Sequence, residues 1–269
     1  MTTTAKAIAF REVSLPTGVR LRYADVGPRS GKTLILLHGY SDSWFSFSPM
    51  LDLAPPELRL IIPDQRGHGD SERPSGVYTP EGFAADAIAL LEALGIPSSD
   101  VVGHSMGSFV AQRMALLAPK RVSSLVLLGS AATADNEVVR SLVPAVQSLT
   151  DPVDVEFVRE FVMSTIYRPV PAEFLEKAIA ESLKLPARVW QAVLAGLLDM
   201  PVLLTDLAAI GCPVSLFWGD RDAIFGRPDQ DELLRRIPQA RLQVFKDVGH
   251  TVHWETPDDF VRYLNEAIQ

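Results

Sequence analysis

A single cysteine, Cys212, is all that 269 residues provide, so the chain forms no internal disulfide, and with no histidine near it the thiol offers no metal cluster. It reads as a small hydrophobe at the start of a strand. Positive charge is also short: 25 Lys and Arg against 33 Asp and Glu leave a formal net charge of −8, which repels phosphate backbones and anionic membranes. Neither nucleic acid nor membrane is an expected partner. No apolar run approaches bilayer-spanning length. The opening stretch MTTTAKAIAF has one lysine and no apolar core before Arg11 and Glu12, which is unlike a secretory signal and points to the cytoplasm. Internal repeats and low-complexity tracts are missing too. With 47% hydrophobic residues the chain buries a large core, either as one α/β domain with an insertion or as two folds.

The pattern along the chain favours the first. VRLRYADV (Val19 to Val26) alternates like a strand, and TLILLHG, LRLIIPD, DVVGH, VSSLVLLG, PVSLFWGD and RLQVFKD are short apolar runs suited to strands buried on both faces. Helical patterns separate them: PEGFAADAIALLEALG starts at Pro80 and closes at Gly95, and SMGSFVAQRMALLAP stops at Pro119. Strands alternating with helices predict a mostly parallel, doubly wound sheet. From about 131 to 209 the alternation stops. VEFVREFVMSTI and AEFLEKAIAESL carry amphipathic spacing there, punctuated by Pro152, Pro169, Pro171, Pro186 and Pro201. We expect a core of residues 1–130 and 210–269 with a helical cap, 131–209, over the edge where the strands end.

Gly103-His104-Ser105-Met106-Gly107 places G-x-S-x-G at a predicted strand-to-helix junction. A nucleophile on such a turn is strained, and side chains at the flanking positions would clash with strand and helix, which glycine avoids. The bland alternative is a glycine-flanked serine capping an ordinary helix. A serine hydroxyl needs a general base, and the base needs a group that fixes its tautomer. VGHTVHWETP offers His250 after the last strand, and GDRDAIF offers Asp220 and Asp222 after the one before.

Taken together, HGY (His38 to Tyr40), DQRGHGDSERP (Asp64 to Pro74), GHSMG, GDRD and GHTVHWETP make this chain resemble the α/β-hydrolase superfamily over nearly its whole length. That resemblance implies the α/β-hydrolase fold, with Ser105 as nucleophile, Asp222 as acid ahead of Asp220, and His250 as base. It further implies an oxyanion hole made by the main-chain amides of Tyr40 and Met106. His38 and His68 are expected to be structural, His104 to point away from the reacting face, and His253 to sit in the wall or behind it. The five histidines are too dispersed in role for a metal site. Trp44, Phe161, Met163, Tyr167 and Leu194 are candidates to line an apolar pocket.

Two nucleotide motifs fail. GPRSGKT (Gly27 to Thr33) is one residue short of a phosphate-binding loop and is followed by a strand; RGHGDSE has Glu72 where a dinucleotide fingerprint needs glycine. No cofactor is expected. Serine rather than aspartate at position 105 argues against haloalkane dehalogenase and epoxide hydrolase chemistry, as do Met106 in place of an aromatic and Ser41 in place of proline. A carboxylic ester or lactone hydrolase working through an acyl-enzyme on a small apolar substrate is therefore expected. Hydrolysis of a carbon–carbon bond in a vinylogous diketone, or of an amide, uses the same three groups, as do a hydroxynitrile lyase and a ligand receptor that retains them.

Overall fold

The computed structural model describes residues 6–76, 78–200 and 207–268; Pro201 and residues 1–5 of the opening stretch lie outside them. One eight-stranded sheet runs through the molecule. Its strands are β1 (Ile8–Ser14), β2 (Arg20–Val26), β3 (Lys32–Leu37), β4 (Leu58–Pro63), β5 (Ser99–His104), β6 (Val122–Leu128), β7 (Val214–Gly219) and β8 (Arg241–Phe245), in the order β1-β2-β4-β3-β5-β6-β7-β8. From β4 onward all pairings are parallel; β1 and β2 are antiparallel additions at one edge. The first strand escaped the sequence reading because most of its side chains are exposed or half-buried, leaving no clean alternation.

Period-two alternation divides the central strands between two cores. Leu34 and Leu36 of β3 pack with Phe260 and Leu264, whereas Ile35 and Leu37 pack with Phe83, Leu90 and Phe109. Fully burying one such side chain stabilises the fold by about 1.5–3 kcal/mol. Helices α1 (Pro80–Ala93) and α2 (Met106–Leu117) cover the second face. Thr79 caps α1 by accepting the Gly82 amide at 3.3 Å, with Pro80 in the first turn.

Between β6 and β7 lie α3 (Glu137–Ser141), α4 (Val143–Gln147), α5 (Val155–Ser164), α6 (Ala172–Ser182) and α7 (Ala187–Leu198), with no strand among the described residues there. Asp154 starts α5 by accepting the amides of Glu156 and Phe157 at 2.7 and 3.1 Å. Helices α8 (Arg227–Arg236), α9 (Val252–Glu255) and α10 (Pro257–Ala267) complete the chain. Cys212 is only half-buried and precedes β7 by two residues, slightly outside the strand where it was expected. No helix among the described residues is long and apolar enough to cross a membrane.

Strand register sets up the site. Leu37 lies opposite Gly103, His104 opposite Leu128, Leu128 opposite Phe217, and Gly219 opposite Phe245, so the loops after β3, β5, β6, β7 and β8 open on one edge. The chain runs from β3 to β4 on one side, then returns past β3 to β5 and continues the other way. Such a reversal leaves a crevice at the carboxyl ends of β3 and β5, where ligands bind in open α/β sheets.

Candidate active site

Ser105 occupies the turn from β5 to α2 with φ 51° and ψ −117°, a conformation that side-chain-bearing residues rarely adopt. Its amide donates to the Leu128 carbonyl at 2.9 Å, and the Ser108 hydroxyl donates to its carbonyl at 2.6 Å. Close packing explains the flanking glycines: a Cβ on Gly103 would strike the Gly107 carbonyl, and one on Gly107 the Leu37 carbonyl. Met106 opens α2, where amides have no acceptor within the helix.

The loops after β7 and β8 bring Asp222 and His250 together. His250 Nδ1 lies 2.8 Å from Asp222 Oδ2 in a buried pair. Carboxylates only accept, so Nδ1 carries the proton and Nε2 is left as the acceptor. Asp222 is itself held by the amides of Ile224 and Phe225, which donate to Oδ1 at 2.8 and 3.1 Å. Asp220 turns elsewhere and accepts the Asp247 amide at 2.6 Å. His250 Nε2 is buried without a hydrogen-bond partner, and His250 and Ser105 border the same small cavity of 30 Å³.

His104 does not point away from that cavity, contrary to expectation: it lines it, together with Asp42, Thr251 and Trp254. Strand parity is the reason, because His104 shares a face of β5 with Val102, on the α10 side of the sheet. His104 Nε2 donates to the His250 carbonyl at 3.2 Å, and Nδ1 stands 3.8 Å from Asp42 Oδ2. Burial lowers the His104 pKa. Behind it lies His253, its ring tilted against that of His104 with centroids 4.5 Å apart. Ser46 Oγ donates to Asp42 at 3.1 Å, so the 3.0 Å contact between Ser46 Oγ and His253 Nε2 makes that nitrogen the donor. Burial keeps His253 well below the ordinary histidine range, and it lines neither cavity beside Ser105.

A second cavity, 170 Å³, meets the first at Ser105, Tyr40, Phe161 and Ile224. Its remaining walls include Met106, Phe109, Leu142, Leu194 and Leu197. Of the pocket candidates, Phe161 and Leu194 line this cavity. Trp44, Met163 and Tyr167 do not. Trp44 packs edge-on against Phe10 at 4.8 Å, on the outer side of the β3–β4 loop. Met163 is 48% exposed, because two residues along α5 from Phe161 the helix has turned by about 200°. Tyr167 lies beyond the helix end, 55% exposed, under the Arg221 guanidinium at 5.5 Å. Tyr40 anchors its loop by donating its hydroxyl to the Trp190 carbonyl of α7 at 2.6 Å.

His38 and His68 bond main chain: His38 Nδ1 lies 2.9 Å from the Gly39 carbonyl and Nε2 accepts the Gln65 amide at 3.0 Å, while His68 Nδ1 lies 2.9 Å from the Arg66 carbonyl. Asp64, in the same loop, accepts the amides of Trp44 and Asp70 at 2.8 and 3.0 Å. A residue missed by sequence reasoning is Glu255. Its carboxylate accepts the amides of Gly249 and Arg168, the latter at 2.7 Å, and so joins the His250 loop to the segment after α5. His250 makes the same connection through its own amide, which donates to the Thr165 carbonyl at 3.0 Å. Nothing in the motif GHTVHWETP distinguishes Glu255 from a solvated charge.

Residues 34–263 match the Alpha/beta hydrolase family. The chain is similar to Lipase 1 of Psychrobacter immobilis, 28% identical over 264 residues that cover 94% of this chain and 81% of the lipase. It is also similar, at 27% identity over 275 residues, to a Bacillus subtilis protein provisionally named 2-succinyl-6-hydroxy-2,4-cyclohexadiene-1-carboxylate synthase, covering 95% of this chain and 97% of that one. Among solved structures, a thermophilic esterase from Thermogutta terrifontis superposes with a TM-score of 0.80 at 26% identity, over 96% of this chain and 97% of the esterase.

Proposed function

The chain belongs to the alpha/beta hydrolase family, and on that premise we propose that it hydrolyses a carboxylic ester or lactone through an acyl-enzyme on Ser105. The observation that carries the proposal is the 2.8 Å contact of Asp222 with His250, beside a cavity that His250 shares with Ser105. Asp222 holds the tautomer in which Nε2 accepts a proton. As Ser105 Oγ bonds to the carbonyl carbon, its proton passes to His250 Nε2, and the amides of Tyr40 and Met106 receive the charge developing on the carbonyl oxygen. Collapse breaks the bond to the leaving oxygen, which takes the proton from His250. Water then repeats the sequence and frees the acid. The helices of residues 131–209 act as a cap on a core of 1–130 and 210–269, supported by Phe161 and Leu194, which reach from α5 and α7 to the cavity at Ser105. Lipase and esterase relatives favour an ester over an amide.

A fluorophosphonate probe tests this directly. Native protein should label on one serine and turn over short esters, and Ser105→Ala should lose both while its circular dichroism is unchanged. Labelling that persists in Ser105→Ala would overturn the assignment.

A further inference from the structure

Two cavities meet at Ser105, and they differ in size and in access to His250. We infer that the acyl group of the substrate lies in the larger cavity and the alcohol in the smaller one beside His250, which makes the substrates methyl or comparably small esters of uncharged, medium-sized apolar acids. The inference rests on the serine hydrolase reading and narrows it.

Orientation follows from the proton. His250 Nε2 must hand its proton to the oxygen that leaves, so the group carried on that oxygen departs on the His250 side. His250 borders the 30 Å³ cavity and is absent from the walls of the 170 Å³ one. At 30 Å³ against 170 Å³ this side is by far the smaller, so it takes the smaller group, of methyl size, and, after methanol leaves, the attacking water. Asp42, His104 and Thr251 are among its walls, beside Val162 and Trp254. A long alkyl chain on this side would displace buried side chains and face a carboxylate.

The other side is far larger and almost wholly apolar. Its 170 Å³ slightly exceeds the roughly 150 Å³ of an apolar cavity known to admit benzene, so it suits one six-membered ring or a chain of similar bulk. Among the described residues none of its walls carries a charged side chain; Phe109, Leu142, Leu194, Leu197 and Ile224 dominate. An acyl group ending in a carboxylate would lose its hydration there without gaining a partner. In the reaction, Ser105 Oγ bonds to the acyl carbon, the acyl–methoxy bond breaks, and methanol carries away the proton held by His250. Water then cleaves the acyl–Oγ bond to give the free acid.

Isomeric esters separate acyl from alcohol recognition with hydrophobicity held constant. Methyl hexanoate and pentyl acetate, assayed by acid release with the native protein, should differ in kcat/KM by tenfold or more in favour of methyl hexanoate. The monoanion of monomethyl adipate should be slower than methyl hexanoate by about a hundredfold. Equal or reversed rates for the isomers, or efficient turnover of the adipate ester, would overturn the assignment of the cavities. Fluorophosphonate labelling of the same sample identifies which conclusion has failed. A protein that labels on Ser105 yet hydrolyses neither isomer overturns this inference alone, and one that neither labels nor hydrolyses overturns the serine hydrolase reading with it.

Discussion

His104 Nε2 donates to the main-chain carbonyl of His250 across 3.2 Å, with the two rings 4.9 Å apart. The residue just before Ser105 thus holds the loop that carries its proposed base. Because His104 ends β5 and Ser105 begins the next turn, the strand that positions Ser105 also anchors the β8–α9 loop.

Removing that donor should loosen His250, and, since His104 also lines the smaller cavity, the conservative replacement is needed to separate the two effects. A neutral hydrogen bond contributes about 0.5–1.5 kcal/mol net, so His104→Leu should lower kcat by roughly three- to tenfold. His104→Gln, which retains a donor at similar reach, should recover much of the loss. Steady-state kinetics on one ester decide it; equal kcat values for the two variants would show that His104 acts through packing alone.

Asp222→Asn should be far more damaging. The amides of Ile224 and Phe225 require an acceptor at Oδ1, so the new amide nitrogen must face His250 Nδ1. That nitrogen donates, the imidazole switches its proton to Nε2, and Ser105 has no acceptor left. In a serine protease the equivalent change costs about 10⁴ in kcat, and a loss of that order is expected here. Asp220→Asn serves as the control, since Asp220 meets the Asp247 amide and should leave turnover within a fewfold of native.

How far the sequence could be read varied with the physics of each feature. The central strands and α1, α2, α5 and α6 were legible because periodicity and capping report them directly. Ser105 was legible because only glycine tolerates the contacts at positions 103 and 107, and those glycines are visible in the letters. Pocket walls were harder: Phe161 and Met163 are equally apolar, and only the phase of α5 against its neighbours separates them. His104 points into the site rather than away from it, and β5, buried on both faces, carries no polar alternation that would report the phase of its last residue. Asp42 and Glu255 had no signal at all, as their roles arise from loops that meet only in the folded chain.

The backbone at Ser105 leads to a stability prediction. A side chain at φ 51° and ψ −117° is strained, by an amount of order 1–3 kcal/mol for such conformations, and glycine relieves it. Ser105→Gly should therefore be more stable than Ser105→Ala by roughly 1 kcal/mol, after allowing for the greater freedom of glycine in the unfolded chain. Urea unfolding of the two inactive variants measures the difference. An alanine variant as stable as the glycine one would mean that the turn relaxes in the absence of the hydroxyl.

Acid should destabilise the fold through its buried histidines. Burial holds His38 and His253 well below the usual histidine value and His68 down to about 4, so all three stay neutral in the native protein when the unfolded chain has taken up protons. Below pH 6.5 the unfolded state binds more protons, and stability must fall as pH falls, by roughly 1.4 kcal/mol per pH unit for each histidine. Asp64 acts in the opposite sense. Burial raises it from 3.8 to about 6, so the native state binds the extra proton between those values and gains stability as pH drops. One carboxyl does not offset these histidines, to which His104, also lowered by burial, adds in the same sense, so stability should fall between pH 7 and 5.5. Urea midpoints across that range test the sign: a flat or rising trend toward pH 5.5 would mean that the histidines accept protons in the folded protein, and His68→Gln, which cannot titrate, should flatten the slope.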